Sequence, residues 1–218
     1  VTLHLLGLPH LDTLKANSWC AYTQRTLDFA TMMGEQVILY GGEANEARCE
    51  HVPIVTNAEQ LAWWPDYVPE RDVFSDFEVT SPGWVAFNER AAAAIRERAE
   101  PHDIVAITMG MAHRLAWEQI GRSDLLAVET GIGYPGVWAP YRVFESRAWQ
   151  AFLQAKEPTD DARLFDDVIP RAYDISEFPE GSGSGGYYLF VGRLMARKGP
   201  QIAAEACKRL GAKLLVAG

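Results

Sequence analysis

Cysteine is scarce and odd in number. Cys20, Cys49 and Cys207 are the three in the chain, and none stands in a C-x-x-C pair. That pattern speaks against a disulfide framework or a zinc knuckle, and a reducing cytoplasmic compartment is the expected home. Basic charge is in deficit as well: 20 Lys and Arg face 29 Asp and Glu, a formal net charge of −9. Broad attraction to nucleic acid or anionic membrane is therefore not expected, although a local basic patch can still bind phosphate. Long apolar runs are missing. The apolar opening Val1 to Leu11 is too short to cross a bilayer and has no basic flank, so it reads as neither signal peptide nor anchor, and no stable membrane insertion is expected. No repeat recurs at solenoid periods. The P-loop pattern G-x-x-x-x-G-K-[ST] is absent, and Gly7-Leu8-Pro9-His10 stands where a nicotinamide-binding protein carries G-x-G-x-x-G. His10, His51, His102 and His113 are scattered and no D-x-D occurs, so no metal site is expected.

What is present is a packable chain. Hydrophobic residues make up 48% and charged residues 22% of 218 positions, the composition of a folded core rather than of disorder. Short apolar runs predict buried strands at Thr2–Gly7, Val37–Tyr40, Asp103–Thr108 and Leu125–Glu129, with a further one at His51–Thr56. Between them, helical spacing predicts helices over Trp19–Met33, Trp84–Ala99, Leu115–Ile120 and Val143–Gln154. Gln60 to Ser81, with its prolines and Trp63-Trp64, reads as an irregular excursion containing at most one helical turn. Asp167–Ile169 closes the unit at Pro170. Apolar strands alternating with helices imply a parallel sheet covered on both faces, a doubly wound α/β fold of Rossmann type.

Residues 1–179 are expected to form this first domain. Residues 180–186 (EGSGSGG) have no side chain able to anchor a core and read as a flexible linker, a composition shared by natural linkers and engineered joints. Residues 187–218 then supply one strand–helix–strand unit: Tyr187–Val191, Pro200–Leu210 and Lys213–Ala217. A single such unit cannot bury both faces of its sheet, so the chain is expected to stop inside its second domain.

The strongest chemical signal lies in that unit. Gly192-Arg193 and Lys198-Gly199 bracket the turn between a strand and a helix opened by Pro200, a residue favoured at the first helical position. The turn puts two cations beside a helix N-terminus, where backbone amides also favour anions. Arg can grip a phosphate with two bonds while Lys acts as a point charge. A solvated basic turn, with Arg197 simply adding to it, is the plain alternative.

The segment YYLFVGRLMARKGPQIAAEACKRLGAKLLVAG resembles the opening of the nucleotide-binding domain of GT-B glycosyltransferases of the family 4 type. Upstream, Val168-Ile169-Pro170, Asp174 and Phe178 resemble the interdomain segment of the same family, in the same order and at matching separation. The resemblance implies a GT-B fold and transfer of a sugar from a nucleotide-diphosphate donor to an acceptor, with retention of configuration and without metal or other cofactor. It further implies that Arg193 and Lys198, with Gly192 and Gly199, bind the donor diphosphate. The first half, with GLPH, SWCAYTQ, HRLAW and VETGIGYPG, resembles a less-characterised phage and actinobacterial branch. Arg171 stands where the family often has Asn. The acceptor is left open among glycan, protein, lipid, small molecule and modified DNA, as is the oligomeric state. A non-catalytic domain descended from such an enzyme is the alternative.

Ligands of doubly wound sheets sit beyond the carboxyl ends of the strands. The exits expected here are Gly7 to His10, Gly41-Gly42-Glu43, Gly110 to His113 and Glu129 to Gly131. The family resemblance places His113 against the donor sugar, with a hydrogen-bonded structural histidine as the alternative. His10, Gly7, Gly110 and Gly131 are expected to line the cleft. Glu129 is expected to orient the acceptor or support an oxocarbenium-like state, with a buried strand-end carboxylate capping the turn Thr130–Gly133 as the alternative. Trp63, Trp64, Trp117 and Trp149 are expected in the core.

Overall fold

The computed structural model describes residues 1–68, 74, 78–157, 163–171, 173, 175–181 and 183–218. They fall into two compact units, Val1–Tyr173 and Asp174–Gly218. In the first, the chain runs β1 (Leu3–Leu6), α1 (Ala21–Met33), β2 (Val37–Gly41), β3 (Glu50–Pro53), α2 (Asn57–Trp63), α3 (Pro82–Arg98) and β4 (Ile104–Ile107). It continues through α4 (Arg114–Ile120), β5 (Leu126–Ile132), β6 (Tyr141–Phe144), α5 (Arg147–Gln154) and β7 (Asp167–Val168). The seven strands lie in the order β3-β2-β1-β4-β5-β6-β7, and every pairing is parallel. This is the doubly wound α/β fold.

Strand alternation divides the core into two layers. Leu6, Tyr40, Val105 and Ile107 pack with Phe87, Ala91 and Ile95 of α3 and with Ala116 and Ile120 of α4. Their neighbours Leu5, Leu39 and Ala106 face the opposite way, onto Leu27 and Ala30 of α1. With a period of two, one short run of apolar residues supplies both layers at once. Phe87 is fully enclosed, and truncating such a ring costs about 3–5 kcal/mol.

A polar group sits inside this core without any sequence signal. His4 is enclosed in β1; its ring lies 2.8 Å from the Tyr40 hydroxyl and 3.4 Å from Asp103 Oδ2. Asp103 in turn accepts the amides of Thr2 at 2.6 Å and Glu100 at 2.9 Å. Burial lowers the pKa of His4 and raises that of Tyr40.

Several expectations need correction. Val143 and Phe144 belong to β6, paired with both β5 and β7, and the following helix begins only at Arg147, where Ser146 Oγ accepts the Trp149 amide at 3.3 Å. Ahead of the irregular stretch stands a helix without a sequence-based expectation, α2, whose last turn from Gln60 to Trp63 is the one helical turn expected inside it. α2 is opened by a capping box in which Thr56 Oγ1 accepts the Glu59 amide at 3.2 Å and the Thr56 amide returns to Glu59 Oε2 at 2.9 Å. Residues 69–73 and 75–77 of that stretch lie outside the described residues. α1 starts at Ala21, because Cys20 is still extended. β5 runs on to Ile132, three residues beyond its expected end.

The second unit pairs β8 (Tyr187–Val191) in parallel with β9 (Lys213–Ala217) through α6 (Pro200–Leu210), which ends at Gly211 with φ +62°. Apolar side chains of the pair stay open to solvent, Leu189 by 57% and Val191 by 72%. Asp174, which carries part of the interdomain pattern, lies outside the described residues. Among the described residues, no helix is long and apolar enough to cross a membrane.

Candidate functional site

β1 and β4 are neighbours, yet the chain leaves β1 toward β2 and enters β4 from β3, so the strand order reverses between them. Beyond their carboxyl ends lies the crevice where such sheets take ligands. The two exits are tied together. The Gly7 amide donates to the Tyr40 carbonyl at 2.8 Å, and Thr108 Oγ1 donates to the Leu6 carbonyl at 2.8 Å. A Cβ on Gly7 would lie 2.9 Å from the Tyr40 carbonyl oxygen, so this close approach requires glycine.

His113 closes the short 3-10 turn Gly110–His113 after β4. Its Nε2 donates to the Gly7 carbonyl at 3.1 Å, while its ring stacks on Phe87 and meets Trp84. The ring is 0% exposed, and burial pushes its pKa down to about 3. It is a neutral imidazole that braces the β1 exit. No face of the ring reaches solvent, and its Nδ1 has no hydrogen-bond partner among the described residues. His10 is also enclosed, 4% exposed, with its ring stacked 3.4 Å from Phe74.

Glu129 lies inside β5 and is likewise fully buried. Its carboxylate accepts the Tyr134 hydroxyl at 3.0 Å and the amides of Trp138 at 3.1 Å and Ala139 at 3.3 Å. Burial raises its pKa, and these donors oppose the shift. The group capped is the loop through Tyr134 to Ala139, not the turn Thr130–Gly133, because the strand continues through Thr130 to Ile132. Gly110 sits close by, with φ +50°; a Cβ there would meet Tyr134 at 2.8 Å, the Gly136 carbonyl at 3.0 Å and Glu129 Oε1 at 3.1 Å. Trp138 Nε1 donates to the Gly110 carbonyl at 2.8 Å, which completes the seam.

Two residues at this edge had no sequence signal. Arg25 of α1 donates to the Gly131 carbonyl at 2.5 Å and to Glu145 Oε2 at 2.7 Å, bridging the ends of β5 and β6. Gly131 has φ +61°, and a Cβ on it would strike the Arg25 side chain at 2.7 Å. Arg25, Gly131 and Glu145 line a groove of about 440 Å³ between α1 and the sheet, together with Ile104, Val128 and Val143. His113 and Glu129 do not line it.

In the second unit the predicted turn is open. Gly192 (φ +149°) donates its amide to the Ala217 carbonyl at 2.8 Å, and Gly199 (φ +77°) is the N-cap of α6, with Pro200 in the first turn. Arg193 and Lys198 are exposed, and neither side chain has an ion-pair or hydrogen-bond partner among the described residues. Arg197 is different: its Nε points at the Met195 sulfur, 3.2 Å away.

No protein-family model matches the chain, and no curated protein sequence matches it. Two of the solved structures that resemble it are the N-terminal domain of trehalose-6-phosphate phosphatase from Candida albicans and UDP-N-acetylglucosamine 2-epimerase from Rickettsia bellii. The first is 15% identical with a TM-score of 0.48, over 88% of this chain and 56% of that one. The second is 8% identical with a TM-score of 0.44, over 99% of this chain and 61% of that one. The chain thus matches less than two thirds of the length of either protein.

Proposed function

We propose that the chain is part of a GT-B glycosyltransferase of the family 4 type, cytoplasmic and metal-independent, that uses a nucleotide-diphosphate sugar. The observation that carries this reading is the β8–α6 turn. Arg193 and Lys198 stand exposed and without partners among the described residues, beside the N-terminus of an 11-residue helix. Backbone amides at a helix start and unpaired cations together favour a diphosphate. In the reaction, the bond from the anomeric carbon to the diphosphate oxygen breaks, and a bond from that carbon to an acceptor oxygen forms. Negative charge collects on the departing diphosphate as the bond breaks, and the acceptor's proton passes to a diphosphate oxygen, so that the nucleoside diphosphate leaves with it. Arg193 and Lys198 would neutralise that charge, a preorganised electrostatic role.

The second reading is a nucleotide-sugar-binding domain without catalysis, favoured by the withdrawal of His113 and Glu129 into protein contacts. This chain by itself should bind but not turn over a nucleotide sugar, so titration of the chain with UDP, GDP and ADP, followed by incubation of the whole protein with their sugar conjugates, separates the two. Diphosphate binding with release of sugar by the whole protein supports the transferase, and binding without turnover by the whole protein supports the second reading. Absence of diphosphate binding overturns both. Any turnover should survive excess chelator; a loss restored by Mg²⁺ or Mn²⁺ would show that a metal takes part.

A further inference from the structure

Side chains from two elements and a loop meet beyond the carboxyl end of β2. Asp12 and Thr13 come from the loop after β1, His51 from β3 and Gln60 from α2. Asp12 Oδ1, His51 Nε2 and Gln60 Nε2 are all enclosed, and none has a hydrogen-bond partner among the described residues. Asp12 is only 9% exposed. An enclosed polar atom without a partner costs about 1–3 kcal/mol, so three in one place call for something that satisfies them.

The backbone lets these side chains come together. Gly42 has no positive φ, so conformational freedom does not explain it; the Asp12 side chain occupies the space that a Cβ would take. A Cβ on Gly42 would lie 2.0 Å from Asp12 Oδ1 and 2.9 Å from Gln60 Nε2, while one on Gly41 would lie 4.0 Å from both His51 Nε2 and Thr13 Oγ1. Asp12 Oδ1 and Gln60 Nε2 therefore lie on the same side of Gly42 as neighbours that make no direct bond.

The donor set defines the guest. Asp12 supplies an acceptor oxygen, and its carboxylate faces the backbone amides of Glu43 and Ala44. The Gln60 amide and the Thr13 hydroxyl can donate, and the His51 ring nitrogen can take either role. A bare anion would meet the carboxylate, and an apolar group would leave every polar atom unpaired. A hydroxyl both donates and accepts, and it fits.

We propose that Asp12, His51 and Gln60 hold a single hydroxyl group at the carboxyl end of β2, supplied by an ordered water molecule or by a carbohydrate. Enclosed polar clusters of this kind bind water that makes two to four hydrogen bonds, and the position is on the edge where doubly wound sheets receive ligands. The site does not depend on the diphosphate reading, because it involves no residue of the second unit and is tested without nucleotide.

The test is a crystal structure of the protein at a resolution that shows solvent, unsoaked and soaked in glucose. One oxygen peak within hydrogen-bond distance of Asp12 Oδ1 and Gln60 Nε2 is expected in the unsoaked crystal. An unchanged peak after soaking identifies water as the source, and its replacement by a glucose hydroxyl identifies carbohydrate. An empty space, or Asp12 bonded directly to Gln60, overturns the proposal. In solution, Asp12→Ala and Gln60→Ala should each lower Tm, and the double variant should fall no further than the worse single one, since all three lose the same guest. Fully additive losses would overturn it.

Discussion

At the carboxyl ends of β1, β4 and β5, the polar side chains expected to act on a ligand make protein contacts. Glu129 accepts three donors, His113 holds the Gly7 carbonyl, and Arg25 bridges Gly131 and Glu145. In the β8–α6 turn the reverse holds: Arg193 and Lys198 are exposed, with no partner among the described residues. The two regions also differ in how they are supported. β1 and β4 are flanked by strands and covered by helices, whereas within the second unit β8 and β9 form a two-stranded sheet packed with α6. Groups that build a fold are spent on its internal contacts, and groups left unspent are the ones available to a ligand. The better-supported unit here holds the scaffold, and the less supported one holds the free charge.

Hydrogen exchange offers the largest effect by which to break this contrast. Amides of β1 and β4 should open only with the whole unit, and those of β8 and β9 by local opening. Protection should differ by on the order of 10⁴-fold. Equal protection would mean that the second unit is as well supported as the first.

A smaller effect is expected at Arg142. It is 1% exposed in β6 and pairs with Asp166 at 2.6 Å and with Glu157. Arg142→Ala should cost up to about 3–5 kcal/mol in chemical denaturation, because it leaves the buried Asp166 carboxylate with only the more exposed Arg163, 3.5 Å away. Diphosphate binding should be unchanged.

Acid should act on the first unit through its histidines. His113 titrates at about 3 in the fold, against an ordinary value of 6.5, and His4 is lowered too. Both bind a proton more readily when unfolded. Their contribution is complete above pH 6.5 and is lost as the pH falls toward 3 for His113, by about 1.4 kcal/mol per pH unit. His113→Phe should flatten that slope in a pH series of denaturant melts. An unchanged slope would mean that the imidazole is accessible in the fold.

The smallest stability effects belong to the turn. Arg193→Ala and Lys198→Ala should each change stability by less than about 0.5 kcal/mol. Each should weaken nucleoside diphosphate binding by roughly ten- to hundred-fold, the worth of a charge-assisted phosphate contact. Arg197→Ala is the control and should do neither. Equal behaviour of all three in titration calorimetry would reduce the site to a solvated basic turn.

Apolar runs carried most of the fold. VILY, DIVAIT, YYLFV and KLLVA each lie on an observed strand, and the alanine-rich stretch after Trp84 lies on α3. Tyr141–Phe144 did not show itself, because Arg142 breaks its apolar pattern and its partner carboxylates lie 15 and 24 residues away. The Thr56–Glu59 capping box was readable, but Trp63-Trp64 and Pro65 obscured the short helix that it opens. At the candidate site, glycines at the strand exits were legible and the states of the side chains were not. Glu129 is committed to backbone amides of Trp138 and Ala139, and backbone donors leave no mark in a sequence. His113 is enclosed by Trp84 and Phe87 of a different helix, so its burial is a tertiary fact.

Arg142 has one more effect, on chain connectivity. Glu157 and Asp166 flank a stretch of chain, and the same guanidinium holds both. The two flanks stay together whatever joins them. Doubling the length of a joining segment costs only about 0.6 kcal/mol in closure entropy, so a peptide tag or a second protein spliced between these carboxylates should leave the sheet assembled. A single protease cut in the same interval should leave two fragments that migrate as one particle until Arg142 is replaced.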